Sequence, residues 1–141
     1  MDNTLTVKLV NELMEVERLG DIISEWSNSL NLEPASIFDI SIVFDEIIAN
    51  IINHGFLDNR EHYIDVNICI DNNTFISTIE DDGIEFNPLD FEKDDRALML
   101  NERESGGRGI NIIKKYMDVV DYRRRDNKNI LTINRKIKLK G

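Results

Sequence analysis

The sequence predicts an α/β (α+β) two-layer sandwich, in which a mixed, mostly antiparallel sheet is covered by helices on one face. Two observations carry this prediction. Near both ends and in the middle of the chain, apolar and polar residues alternate, as in half-buried strands. Between the first two alternating stretches, apolar residues instead recur every three or four positions, which is typical of amphipathic helices. The 141 residues suffice for one core, so we expect a single domain over residues 1–141.

The first third of the chain predicts one strand and two helices. Residues Thr4–Val10 alternate and form the strand, and an amphipathic helix follows over 13–30 with Asn11 as a candidate cap. Pro is favoured at the first helical position, so a second helix should run from Pro34 to about His54. Gly55 then ends this helix.

The rest of the chain predicts four more strands and a short third helix. A hairpin joins 63–70 to 74–79 through Asp71-Asn72-Asn73. Residues from about 87 to 105 are highly charged and show no period, which predicts a mobile lid loop. The last predicted elements are a helix over 110–117, strands over 119–124 and 130–139, and a turn over 126–129.

Composition excludes several classes of function. With 27 acidic and 17 basic residues the net charge is −10, so nucleic acid is a poor partner. The one basic cluster, Arg123-Arg124-Arg125, is interpreted as the solvated end of a strand. The chain has neither a membrane-length apolar run nor a signal peptide, so we expect a cytoplasmic protein without membrane contact. The single cysteine, Cys69, excludes an intramolecular disulfide and is interpreted as a buried thiol.

The most informative motif lies in the second predicted helix. Glu46, Asn50 and His54 are spaced four residues apart, so they share one stripe of an otherwise apolar helix. Burying such groups without partners is costly, which makes a bound ligand or ion one explanation. The Asn50 carbonyl is a suitable Mg²⁺ ligand, and Glu46 could accept a proton nearby. The alternative is a solvated helix face.

Two further motifs suit a nucleotide. Asp81, followed by Gly83 at a strand end, could accept a hydrogen bond from the exocyclic amine of a base, although a plain acidic turn fits as well. Gly106-Gly107-Arg108-Gly109 before a helix could cradle an anion, although a flexible hinge is the alternative. Neither a P-loop nor a GxGxxG unit is present.

Together and in this order, the motifs resemble the Bergerat-type (GHKL) ATPase fold. Its N-box, strand-end Asp-x-Gly, lid and Gly-x-Gly helix start correspond to residues 35–120 here. Within that superfamily the chain is similar to the bacterial anti-sigma-factor serine/threonine kinases of the RsbW/SpoIIAB type. The residues that carry this likeness are Asp45-Glu46 with His54-Gly55, Phe86-Asn87-Pro88 after Gly83, and Tyr116-Met117-Asp118-Val119-Val120.

The resemblance implies a histidine-kinase-like ATPase (HATPase) domain that binds ATP and Mg²⁺. It implies phosphorylation of a serine or threonine on an anti-anti-sigma (STAS-type) partner, sequestration of a sigma factor, and a homodimer. Carried over by position, Glu46 would be the general base and Asn50 the Mg²⁺ ligand. Asp81 would bind the adenine amino group with support from Gly83. The phosphates would lie near His54, Gly107, Arg108 and Gly109.

Two other functions remain open at this stage. The alternative is a nucleotide-gated protein-binding module without kinase activity, in which ATP acts by ordering the lid. A detached histidine-kinase catalytic domain ranks third. Such domains normally follow a helical segment that carries the phosphoacceptor histidine, and we expect no such segment before residue 1.

Overall fold

A computed structural model of the chain describes residues 3–87 and 105–139, and for residues 105–109 it describes the backbone alone. Eight elements follow one another in this part of the chain. They are β1 (Thr4–Val10), α1 (Met14–Ser29), α2 (Pro34–His54), β2 (Tyr63–Asp71), β3 (Thr74–Asp81), α3 (Ser105–Tyr116), β4 (Val119–Arg125) and β5 (Lys128–Lys136).

The five described strands form one sheet in the order β1-β2-β3-β5-β4, and every neighbouring pair is antiparallel. The inward side chains of the strands and the apolar faces of all three helices join in a single hydrophobic core. The predicted two-layer sandwich is therefore confirmed. The predicted mixture of strand directions is not found among the described strands.

Three inward-facing rows of side chains cross the sheet. One row lies at the C-terminal ends of β3 and β4. In it, Leu9 pairs with Ile64, Ile64 with Asp81, Asp81 with Asn129 and Asn129 with Arg124. The next row is apolar except for a tyrosine, and contains Val7, Val66, Ile79, Leu131 and Tyr122. The core-facing side of the sheet therefore changes from apolar to polar side chains between these two neighbouring rows.

Two tight turns set this register. Asn72 and Asn73 have φ angles of 49° and 60°, and Asp126 and Asn127 have 51° and 61°. Two successive left-handed residues are the signature of a type I′ turn, which joins antiparallel strands through two residues. The turn predicted over 126–129 is therefore wrong in length, because Lys128 and Asn129 already belong to β5. That strand ends at Lys136, before Leu139.

Two other local predictions are corrected. The third helix begins at Ser105 and not at Ile110, so Gly106–Gly109 lie within its first turns. Buried Ile110, Ile113 and Met117 hold the helix to the core, and this packing outweighs the poor helix propensity of the glycines. Asn11 does not cap α1; its side chain instead accepts from the His62 amide and donates to the Arg60 carbonyl.

The second helix matches its predicted bounds. Gly55 ends it, but with φ −85° it is not left-handed, so the helix does not end in the expected glycine conformation. The predicted lid loop falls mostly on residues 88–104, which lie outside the described residues. No helix in the described part of the chain has the length and apolar character that crossing a bilayer requires.

Candidate functional site

A largely apolar cavity opens between the helices and the polar end of the sheet. It encloses about 480 Å³ of space, including its open mouth. Its apolar walls come from α2, α3 and the sheet, and its polar groups converge from α2, β3, β4 and β5; the lining side chains are Ile47, Asn50, Ile51, Asp81, Phe86, Ile113, Tyr122, Asn129 and Leu131.

Asn50 contributes an unpaired acceptor to the cavity wall. Asn50 is 7% exposed, and its Oδ1 atom is buried without a hydrogen-bond partner in the part of the chain that the structure describes. A buried carbonyl oxygen without a donor is costly, and a hard cation is a suitable partner for it. In residues 3–87 and 105–139, no three His, Cys, Asp or Glu side chains gather as a metal site.

Glu46 lies one helical turn before Asn50, on the same side of α2. Its Oε2 atom is likewise buried and has no hydrogen-bond partner within residues 3–87 and 105–139, although Glu46 is not in the cavity wall. Burial raises the pKa of the Glu46 carboxyl, and the neighbouring Asp45 carboxylate raises it further. A carboxylate with a raised pKa is a stronger base, so this group suits proton abstraction.

His54 is not one of the cavity-lining residues, and the glycine motif is described by its backbone alone. His54 is exposed at the end of α2. The backbones of Gly107, Arg108 and Gly109 lie in the first turns of α3, whose free amides are a ready anion site. The Arg108 side chain falls outside the described atoms.

Asp81 is the buried acid of the site, at 5% exposure. Its Oδ1 atom accepts from the Gly83 amide at 2.9 Å and from Asn129 Nδ2 at 3.0 Å. Burial raises the pKa of Asp81 above its ordinary value, while these two hydrogen bonds lower it. The carboxylate thus lines the cavity with one oxygen already engaged.

Asn129, which we had interpreted as a turn residue, anchors a polar network beside Asp81. It is 6% exposed, and its Oδ1 accepts from Tyr122 Oη at 2.5 Å and from Arg124 Nη1 at 3.1 Å. Arg124 also donates to the Gly83 carbonyl at 2.8 Å. The interpretation of Arg124 as part of a solvated strand end is therefore wrong, whereas Arg123 and Arg125 are indeed exposed.

Gly83 is required for space and not for an unusual backbone angle. Its φ angle is not positive, but an added Cβ would overlap the carbonyl oxygen of Gly55. The next amide, that of Ile84, donates to this same carbonyl at 2.8 Å. The end of the Asn50 helix and the turn after Asp81 are thereby joined backbone to backbone.

Sequence reasoning therefore missed Tyr122, Arg124 and Asn129. The signal for two of them was present, because Tyr122 and Arg124 are in phase with half-buried Val120 on β4. Only the exact strand register shows that Arg124 pairs with Asn129 and that Asn129 pairs with Asp81. A two-residue turn at Asp126-Asn127 would have been the clue.

The fold and the site define a nucleotide-binding class, and comparison with known families agrees. The model of the histidine kinase-like ATPase domain matches residues 9–135, and the chain belongs to this family. The family and the apolar cavity with its convergent polar groups together indicate an ATP site.

Similar proteins cover much or nearly all of the chain at modest identity. The serine/threonine-protein kinase BtrW of Bordetella bronchiseptica is 26% identical over 68% of this chain and 68% of its own. An anti-sigma F factor of Clostridium kluyveri is 21% identical over 96% of this chain and 95% of its own. The anti-sigma F factor of Bacillus subtilis is 27% identical over 58% and 56% of the two chains.

Two solved structures share the fold. The structure of the RsbU and RsbW domains of Rv1364c from Mycobacterium tuberculosis matches with a TM-score of 0.71 at 12% identity, over 96% of this chain. This chain spans 33% of that one. A chain of the SiaB–SiaC complex from Pseudomonas aeruginosa matches with a TM-score of 0.64 at 14% identity, over 95% of this chain and 89% of its own.

Proposed function

We propose that this protein is an ATP-binding anti-sigma regulatory factor that acts as a serine/threonine protein kinase on an anti-anti-sigma (STAS-type) partner. The observation that carries the proposal is the pair of buried, unpartnered acceptors, Glu46 Oε2 and Asn50 Oδ1, beside the cavity. Relatives named as a serine/threonine-protein kinase and as anti-sigma F factors support it.

The proposed orientation of the nucleotide follows from the side chains that line the cavity and those that lie beside it. Asp81 would accept from the adenine amino group, with Gly83 holding the turn behind it. Asn50 would hold Mg²⁺ through Oδ1, and the bound ion would supply positive charge beside the phosphates. His54 and the start of α3, with Gly107, Arg108 and Gly109, would surround the phosphates. Residues 1–141 would act as one domain.

The proposed reaction is phosphoryl transfer from ATP to a partner hydroxyl. The hydroxyl oxygen of the serine or threonine forms a bond to the γ-phosphorus, the bond from that phosphorus to the β,γ-bridging oxygen breaks, and ADP leaves. Glu46 accepts the hydroxyl proton. Its raised pKa brings the carboxylate closer to the neutral range in which general bases are most effective.

The first test is calorimetric titration with ATP, with and without Mg²⁺, for the wild type, Asn50→Ala and Asp81→Asn. We expect Asn50→Ala to lose the Mg²⁺-dependent part of binding and Asp81→Asn to lose ATP binding in both conditions. Asn53→Ala, an exposed neighbour on the same helix, is the control and should bind as the wild type does. A wild type that does not bind ATP would refute the proposal.

The second test separates a kinase from a nucleotide-gated binding module. Transfer from γ-labelled ATP is measured with a set of purified STAS-type proteins. Glu46→Gln should keep ATP binding but lose about 10²- to 10⁴-fold in transfer rate. The binding module would instead be supported if the wild type labelled no STAS-type protein but bound a sigma factor in an ATP-dependent manner.

The proposal includes a homodimer and a sigma factor as partners. The net charge of −10 suits docking onto basic surfaces of a sigma factor. Light scattering after size exclusion measures the oligomeric state directly, and a mass of one chain at micromolar concentration would remove the homodimer.

A further inference from the structure

The amide of Asn129 has one possible orientation. Three donors converge on its Oδ1: Tyr122 Oη, Arg124 Nη1 and, at 3.3 Å, the Phe86 amide. Its Nδ2 donates to Asp81 Oδ1 at 3.0 Å and to the Ile84 carbonyl at 2.7 Å. Exchanging the amide oxygen and nitrogen would place donors against donors and acceptors against acceptors, so Nδ2 must face Asp81.

Because this donor is fixed, the two carboxylate oxygens of Asp81 have different roles. Asn129 Nδ2 and the Gly83 amide both donate to Oδ1. Among the described residues, no donor is directed at Oδ2. The carboxylate therefore keeps a single acceptor, Oδ2, for a ligand in the cavity.

The network also opposes protonation of this carboxylate. Burial raises the pKa of Asp81, and the nearby Asp82 carboxylate acts in the same direction. The hydrogen bonds from Asn129 and Gly83 and the charge of Arg124 lower it. Without Asn129, the buried acid would take up a proton more readily and would then be a donor as well as an acceptor.

We propose that Asn129 is a specificity-determining positioning residue, which holds Asp81 as a pure acceptor so that the cavity takes 6-aminopurine and rejects 6-oxopurine nucleotides. The inference rests on the proposed ATP site. A 6-amino group donates to Oδ2, whereas a 6-oxo group would meet it oxygen to oxygen. A protonated Asp81 would remove that repulsion by donating to the 6-oxo group.

The test compares ATP with inosine triphosphate, a 6-oxopurine nucleotide, by calorimetry between pH 5.5 and 8.5. Asn129→Asp is close in shape and keeps an oxygen for Tyr122 and Arg124, but it replaces the donor to Asp81 by a second carboxyl group. We expect the ratio of ATP to inosine triphosphate affinity at pH 7 to fall by about tenfold or more. The pH at which half of the ATP affinity is lost should rise.

Asn134→Asp is the matched control. It makes the same chemical change on the same strand, at a half-buried position in the outward phase of β5. This variant should keep the ATP selectivity and pH profile of the wild type. Circular dichroism and thermal unfolding check that both variants fold.

Asn129→Ser, which keeps a small hydrogen-bonding group, provides the comparison if Asn129→Asp does not fold. It should show the same loss of selectivity to a smaller degree. A merely structural role would lower both affinities in proportion at every pH, and that result would overturn the inference while leaving the ATP site intact. No ATP binding by the wild type would instead refute the proposed function itself, and the inference with it.

Discussion

Asn50 shows how a side chain proposed to bind a ligand lowers stability in the free protein. Its buried Oδ1 has no partner among the described residues, and most of the cavity wall around it is apolar. Leaving such an acceptor unpaired costs about 1–3 kcal/mol. A residue that harms the fold and yet lies in a cavity wall is best explained by a ligand.

We therefore predict that Asn50→Leu stabilises the nucleotide-free protein while removing Mg²⁺-dependent ATP binding. The expected gain is about 1 kcal/mol in the free energy of unfolding, measured by urea denaturation. Asn53→Leu makes the same change at an exposed position of α2 and should bring no such gain. Equal stabilisation by both variants would mean that the effect comes from helix propensity.

Gly83 gives a second prediction at the residue scale. A methyl group there would overlap the Gly55 carbonyl, so Gly83→Ala should lower the free energy of unfolding by about 1–3 kcal/mol. Gly20, in the interior of α1, has no atom within 4 Å of an added Cβ. Gly20→Ala should therefore stabilise by up to about 1 kcal/mol. Urea denaturation of both proteins tests the opposite signs, and a stable Gly83→Ala protein would contradict the backbone contact.

At the scale of elements, the connection between α2 and β2 is tied to the end of β3 through His62. The ring lies between two carboxylates, with Nε2 2.6 Å from Asp58 Oδ1 and Nδ1 3.0 Å from Asp82 Oδ1. It also stacks on Phe56 at 4.4 Å between ring centres. The hydrogen bond to Asp58, more than that to Asp82, raises the pKa of His62. The protonated ring thus holds the loop against the turn that follows Asp81.

The sign of the pH effect follows from this raised pKa. The stabilisation by His62 is fully present below the ordinary histidine pKa of about 6.5, and it is lost as pH rises through the higher pKa of the folded state. We predict that the stability difference between the wild type and His62→Gln shrinks between pH 6 and pH 9. Thermal unfolding of the two proteins across this range measures it. Asp45, Glu46 and Asp81 titrate in both proteins, so their contributions cancel in the difference. A stability difference that stays constant with pH would contradict the prediction.

At the scale of the whole molecule, the proposed ATP site exists only in the folded chain. Its walls come from α2, α3, β3, β4 and β5, which span the sequence from Ile47 to Leu131. A ligand that binds only the native state stabilises it by about 2.7 kcal/mol at 100 times its Kd. We predict that saturating ATP with Mg²⁺ raises Tm by about 10 °C. The proposed site would be contradicted by a Tm that is unchanged at millimolar ATP.

Much of the fold could be predicted because its signals are local. Period-two strands, period-three-and-four helices and Pro34 gave bounds close to those observed for β1, α2 and β3. The motif residues Asn50 and Asp81 could also be found, and the structure brings them into one cavity. The start of α3 could not be predicted, because glycines oppose helix formation and only the packing of Ile110 and Ile113 overrides that tendency. Asn129 could not either, since its role depends on register between distant strands.

The row that joins Asp81, Asn129 and Arg124 also sets a limit on how this protein can change over evolutionary time. The Asp126-Asn127 tip is exposed, and tips of this kind ordinarily accept insertions. Here the tip lies one pair beyond Arg124 and Asn129, so an insertion that shifted β4 against β5 by one residue would turn Arg124 to the opposite face of the sheet. The composition of this turn is open to drift, whereas a change in length that shifts the register would disturb the proposed base pocket, to which neither turn residue contributes a lining side chain.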